Sequence, residues 1–142
     1  MNIQRYKPLV DKLFWIISVP TTVLLIGVTL AVCFFPAPLA LFITILTDLI
    51  VIYFLIAPLF GYVELREDSV YIKYGLFLNK EIPYRKIRKI EKERRFYSDS
   101  MLSLKNAFDH INIKYNTFDI TSVSVVNNDI FIENLNKRIL CS

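Results

Sequence analysis

The residues best suited by type and spacing to do chemistry lie in one stretch, Lys80–Arg95. It holds eight cations, Lys80, Arg85, Lys86, Arg88, Lys89, Lys92, Arg94 and Arg95, against three acids, Glu81, Glu91 and Glu93. Such a density of positive charge binds anions. Beside an anionic leaflet each cation that reaches the surface contributes about 1 kcal/mol. The same pattern also suits a solvated edge strand, whose charges oppose pairing with another sheet, and Glu91 and Glu93 fit that role. Phe96-Tyr97 follow directly, the kind of aromatic neighbours on which single-stranded nucleic acid stacks.

Elsewhere the inventory excludes more than it offers. Three glycines, Gly27, Gly61 and Gly75, cannot build a phosphate-cradling loop. His110 is the single histidine; beside Asp109 at the start of a strand pattern, it reads as a surface or turn residue rather than a base. Ser98, Ser100 and Ser103 have no histidine placed to activate them, and no nucleophile elbow is present. Cys33 and Cys141 show neither a disulfide pairing nor metal-ligand spacing, and Leu140-Cys141-Ser142 is not a prenylation box. The expectation is a protein that is not an enzyme and that holds no cofactor and no metal.

What positions the basic stretch is a long apolar segment upstream. Residues 13–35 carry no charge, and residues 39–61 carry one, Asp48. At about 1.5 Å per residue each run reaches roughly 34 Å as a helix, enough to cross a hydrocarbon core of about 30 Å with some tilt. Neither run has the polar stripe of a soluble core helix. A cleaved leader has a shorter apolar region and no second full-length run behind it. Phe35-Pro36-Ala37-Pro38-Leu39 predicts a tight turn between two spans. Pro20 predicts a bend in the first, and Pro58 a loosening near the end of the second.

Charge sets the expected orientation. Arg5, Lys7 and Lys12 flank the first span, the connecting turn is uncharged, and 14 of the 17 Lys+Arg follow Gly61. The positive-inside tendency then places both termini in the cytoplasm, in a two-span protein of the cell membrane. Trp15 and Tyr62 fall at the headgroup level. Membrane tethering and the mixed charge of Lys80–Arg95 argue against nucleic acid as the partner. Asp48 lies nine residues into its span, where an ionised carboxylate is costly. A neutral acid hydrogen-bonded to Thr44, or across to Thr22 or Thr29, is the expectation; a proton or ligand site is the alternative, for which a second ionisable group is missing.

After Gly61 the apolar period changes to alternation. Val63 and Leu65 precede the turn Arg66–Ser69, and Val70, Ile72 and Tyr74 follow it. Ile82 and Tyr84 suggest a third strand, with Pro83 marking an edge or bulge. Ile111, Ile113 and Tyr115 form another, then Asn116-Thr117 turns into Ile120, Ser122 and Ser124. Short strands at hairpin spacing predict an antiparallel sheet or roll. At the end, Asn127 or Asn128 caps a helix with Phe131, Leu135 and Ile139 on one face, Asp129 and Glu133 early and Lys137-Arg138 late. The organisation expected is thus residues 1–61, a frayed or interfacial lead-in and a transmembrane hairpin, then residues 62–142, one soluble domain.

The order of these elements resembles a family of small bacterial proteins with two membrane spans and a bacterial pleckstrin-homology (PH)-like domain. The residues that carry it are Tyr62-Val63-Glu64-Leu65-Arg66-Glu67-Asp68-Ser69-Val70-Tyr71-Ile72-Lys73-Tyr74-Gly75, similar to the family's opening hairpin. Ile82 to Ile90 is similar to its next strand pair, and Ser103-Leu104 and Asp109 to Tyr115 to its later strands. The step between Ser103-Leu104 and Ile111 is longer than usual in the family, which leaves the register at residues 105–108 open. Val123-Ser124-Val125 stands where Ile-Ser-Pro is common. The resemblance implies an α+β fold, a PH-like antiparallel roll with a C-terminal capping helix, and brings no catalytic residues. Its relatives are associated with envelope stress responses and with self-protection against membrane-active bacteriocins. A membrane-anchored binding module conferring such immunity is therefore the functional expectation, with an envelope-stress component or a scaffold recruiting a cytoplasmic protein as alternatives. Anionic lipid headgroups, a peptide toxin or a membrane or cytoplasmic protein are the partners these readings call for. The sequence does not specify the oligomeric state.

Overall fold

The computed structural model describes residues 3–35, 37–98, 100, 103–105 and 107–141. Pro36 of the expected turn, Asn106 in the stretch of open register and the terminal Ser142 lie outside the described residues. Two helices come first, Lys12–Cys33 (α1) and Pro38–Ile56 (α2), and a 3-10 turn, Ala57–Phe60, prolongs the second. Asp11 caps α1 by accepting from the Leu13 N–H at 2.6 Å, a bond that satisfies one orphan donor of the first turn. The helix runs on through Pro20. Pro38 opens α2, where its missing N–H costs nothing. Pro58 falls where the α-helix gives way to the tighter turn, because it has no N–H to continue the ladder. Both helices are long and apolar enough to cross a membrane, and their large side chains, Leu24, Phe42 and Leu49 among them, are exposed. Apolar area of that extent marks a surface made for lipid or for a partner.

The rest of the chain forms two four-stranded sheets and a helix. Sheet one is antiparallel in the order Gln4–Tyr6 (β1), Tyr62–Leu65 (β2), Ser69–Lys73 (β3), Asn79–Pro83 (β4). A 3-10 turn, Tyr84–Lys86, leads to sheet two, which holds Ile87–Arg94 (β5), Ser103–Leu104 (β6), Asp109–Tyr115 (β7) and Asp119–Val123 (β8) in the spatial order β5-β7-β8-β6. β6 runs parallel to β8 and the other pairs are antiparallel. The helix Asn128–Cys141 (α3) contributes Phe131 and Leu135 to a core that joins Val63, Leu65 and Ile72 of sheet one to Ile111, Ile113 and Val123 of sheet two. Two apolar helices, a β domain of short strands and a C-terminal helix match the order expected from the two apolar runs and the alternation after Gly61. Tyr84 lies just beyond β4 rather than in it, since Pro83 ends the ladder there.

The lead-in differs from expectation. Gln4–Tyr6 is not frayed but forms an edge strand, paired Gln4–Leu65, Arg5–Glu64 and Tyr6–Val63 with β2. Pro8 then bridges Val125, and Leu9 donates to Ser124 O at 2.9 Å. The chain therefore enters the β domain, leaves it for the helical hairpin, and returns. A segment of three residues without strong alternation gives no strand signal by itself; its partner supplies the order.

Where hairpin and sheet meet, two glycines make the contact. A Cβ on Gly61 would strike the Leu104 side chain and come within 2.6 Å of Lys73 O. One on Gly75 would lie 2.8 Å from Ala57 Cβ, and Gly75 also takes φ +100°, a left-handed conformation that glycine adopts at little cost. Phe108 N adds a contact by donating to Asp11 Oδ2 at 3.3 Å. No spacer separates the helices from the domain.

Candidate lipid and partner surfaces

The eight cations of Lys80–Arg95 are not gathered into one patch. β2 leaves the hairpin at Tyr62 and ends at the turn Arg66–Ser69, about 13 Å away at 3.3 Å per residue. This turn marks the far end of the domain. Pro83 pairs with Ser69, Tyr84 N donates to Asp68 O at 3.0 Å, and Tyr84 Oη donates to Arg66 O at 2.7 Å. Arg85 and Lys86 therefore sit at the far end, with Arg88 just beyond, where the pairing of β5 with β7 shifts register. β5 then runs back, so that Arg94 and Arg95 lie toward the hairpin, opposite Asp109 and Phe108. Lys80, near the hairpin end of β4, lays its ammonium 4.8 Å from the centre of the Tyr115 ring.

Most of this charge is answered locally. Lys89 and Lys114 both hold Glu91, at 2.5 and 2.6 Å, and hydrogen bonds from Lys114 first, then Lys89, pull the Glu91 carboxyl down to about 2. Lys92 pairs with Asp129 of α3 at 2.6 Å, Arg94 lies 3.8 Å from Asp109, and Arg95 3.4 Å from Glu93. Glu81 accepts from Ser69 Oγ at 2.5 Å and pairs with Arg66; the Ser69 bond chiefly holds its carboxyl below the usual range. Among the described residues Arg85, Lys86 and Arg88 are the exposed cations of this stretch with no ion pair. These three could attract an anion, and they face away from the hairpin.

Within the hairpin, Thr29 Oγ1 donates to Asp48 Oδ2. This is one of the two cross-helix bonds expected, and it ties the last third of α1 to the middle of α2. A small recess of about 200 Å3 beside the pair is lined by Thr22, Leu25 and Ile52. Toward the β domain a wider groove of about 480 Å3 opens sideways between Phe14, Trp15 and Val19 of α1 and Ile52, Ile56 and Leu59.

His110 is a correction. It is 1% exposed, not a surface or turn residue, and its Nδ1 lies 3.0 Å from Phe108 O. β7 is buried on both faces, so the parity that carries Ile111 and Ile113 inward does not expose His110 and Asn112. Beside it runs a polar row that alternation alone could not reveal. Ser122 Oγ donates to Asn112 Oδ1 at 2.5 Å, Asn112 Nδ2 donates to Glu93 Oε2 at 3.1 Å, and Glu93 pairs with Arg95. These bonds satisfy each other across three strands and leave no activated nucleophile among them. Among the described residues no three His, Cys, Asp or Glu side chains gather as metal ligands would.

Comparison with protein families matches residues 61–139 to the family described as Bacterial PH domain. The match starts at the junction glycine, ends in the last turns of α3 and covers more than half of the chain. No curated protein and no solved structure matches the chain.

Proposed function

The chain belongs to the bacterial PH domain family, and from that premise we propose that it is a membrane-anchored, non-catalytic binding module that works at the bilayer surface. The junction carries this reading. Of two apolar helices of 22 and 23 residues, the first leaves the β domain after β1 and the second re-enters it through Gly61, and Gly75 against Ala57, Phe108 against Asp11 and β1 against β2 hold the domain to their ends. A module so mounted samples only ligands near the membrane. The excess of Lys and Arg around the helix ends favours a cytoplasmic position for the domain and both termini.

The role proposed is self-protection against a membrane-active peptide bacteriocin. The sideways groove between α1 and α2 supports it, since an apolar peptide face inside the bilayer would meet Phe14, Trp15 and Ile52 there. The outer turn around Ala37 has no charge with which to capture a soluble toxin. Expression of the intact chain in a sensitive host, challenged with a panel of membrane-active peptides, is the test. A raised inhibitory concentration for one peptide or a narrow group is the expected result. No protection across the panel, with the protein shown to be in the membrane, would overturn the immunity role.

A second reading has its own observation. Arg85, Lys86 and Arg88 are exposed at the end of the domain opposite the hairpin, a position that favours an acidic cytoplasmic protein over a lipid headgroup. Retention of such a protein on pull-down, in the absence of protection, would identify a scaffold.

A further inference from the structure

Two loop tips at the hairpin end of the β domain are apolar and exposed. Leu76, Phe77 and Leu78, between β3 and β4, are 54%, 78% and 41% exposed; Phe96 and Tyr97, just after β5, are 61% and 60% exposed. Neither tip hangs free. Tyr74 N donates to Leu78 O at 2.8 Å and closes the first, while Gly75 packs it on Ala57. Lys105 Nζ donates to the carbonyls of Arg95 and Tyr97 and clamps the second.

Their level along the hairpin decides what they meet. The Phe77 ring lies 5.7 Å from that of Tyr53 on α2, three residues before that helix ends and seven before the end of the 3-10 turn that prolongs it. Lys105, which holds the second tip, shares a crevice with Ile17 and Phe54. The first tip therefore overlaps α2 instead of stopping at its end, and the second is clamped by a residue at the level of Ile17 and Phe54. Counted at about 1.5 Å per residue, Ile17 lies roughly 24 Å from Cys33, and Tyr53 roughly 22 Å from Pro38. A hydrocarbon core is about 30 Å thick, so a hairpin spanning it carries both tips into the last several ångströms of that core. Apolar rings flanked by cations favour that boundary, and Arg94, Arg95 and Lys80 stand on the domain side of the tips.

We propose that Leu76-Phe77-Leu78 and Phe96-Tyr97 insert into the leaflet through which the hairpin enters, so that the β domain is seated in lipid at three points: the hairpin and two tips. Three points fix the domain's tilt, and with it the direction of the far-end cations. The inference rests on the membrane-anchored reading above, and its test separates the two.

Trp15 is the single tryptophan and reports on the hairpin. The full chain in vesicles of phosphatidylglycerol and phosphatidylcholine is compared with Trp15→Phe chains that carry Phe77→Trp, Leu76→Trp, Phe96→Trp or Phe118→Trp. Phe118, 92% exposed in the turn before β8, is the water reference. Tryptophan at 77, 76 and 96 should lose most of the iodide quenching seen at 118 and be quenched by brominated lipid about as strongly as Trp15. The use of 76 beside 77 keeps the first tip testable should one replacement disturb the fold. Quenching by lipid at Trp15 with iodide access at 76, 77 and 96 equal to that at 118 would overturn the insertion and leave the anchor intact. Protection from iodide without lipid quenching would overturn it too, because a second copy or another protein would then cover the tips. Absence of lipid quenching at Trp15 itself would bring down the anchored reading and this inference with it.

Discussion

At Asp48 the proton count is informative. The Thr29 hydroxyl has one hydrogen, yet it lies near both Asp48 Oδ2 and, at 3.1 Å, Leu25 O. An amide at position 48 could donate to Thr29 Oγ1 and release that hydrogen to Leu25. Asp48→Asn should therefore leave accumulation and thermal stability near the wild-type values, whereas Asp48→Leu should lose the cross-helix bond, about 0.6–2 kcal/mol in membranes. Loss of function in Asn at normal accumulation would make the carboxyl a titrating group and refute the staple. Outside the hairpin, Glu91 gives a pH prediction. Its carboxyl is held at about 2 against an ordinary 4.5, so its contribution to stability is complete above the ordinary value and disappears as pH falls toward about 2. Glu91→Gln should flatten that limb of the stability-against-pH curve; an unchanged limb would mean that Lys89 and Lys114 do not hold it in solution. The identity of such pairs was only partly legible. Interleaved Glu and Lys announce ion pairs, but Lys114 reaches Glu91 from another strand, and strand order is not written in spacing.

At the scale of elements, the strands with clean alternation were legible and the segments that depend on partners were not. Val63 to Ile72 and Ile111 to Tyr115 show a period of two because their alternate apolar side chains meet the hydrophobic core, although in β7 the polar residues between them are covered as well. β1 shows nothing comparable, and what keeps it is Arg5, whose Nε donates to Glu64 Oε1 at 2.7 Å, with the side chain of Glu64 only 8% exposed. Hydrogen bonding to Glu64, then its charge, raises the Arg5 guanidinium above its ordinary value. Arg5→Ala leaves Glu64 with Arg66 alone, at 3.6 Å, and should lower stability, because a largely buried carboxylate loses its nearest hydrogen-bonded partner. Chemical denaturation against wild type measures it, and a change near zero would show β1 to be dispensable. The junction glycines were visible as residues but not as contacts. Gly75→Ala adds a methyl 2.8 Å from Ala57 Cβ at φ +100°, and should destabilise by about 1 kcal/mol or more. Protease cutting should then increase between β3 and β4, where the tip is held to α2, and unchanged cutting there would mean the contact is not needed.

For the molecule as a whole, the two ends of the β domain make different offers, and substitutions can tell them apart. The hairpin end presents Leu76, Phe77 and Phe96 beside apolar helices; the far end presents Arg85, Lys86 and Arg88, separated from it by the length of the strands. Sequence reasoning took Lys80–Arg95 as one basic unit because its charges are adjacent along the chain. The fold turns at Tyr84–Lys86 and sends β4 and β5 along separate sheets, so adjacency in sequence becomes opposition in space. Arg85→Gln, Lys86→Gln and Arg88→Gln together touch no ion pair among the described residues, so the fold should keep its stability within about 0.5 kcal/mol, the usual range for surface changes. If the far end takes an acidic cytoplasmic protein, the triple variant should lose that protein on pull-down from membranes while its association with lipid is unchanged, and the wild-type interaction should weaken as salt screens it. If the cations instead reach anionic headgroups, lateral association with phosphatidylglycerol in nanodiscs should fall in the triple variant and pull-down should not change. Protection against a peptide that survives the triple substitution but fails with Phe77→Asp would locate the protective surface at the hairpin end. The opposite pattern would locate it at the far end, and would remove the groove between α1 and α2 from the account of immunity.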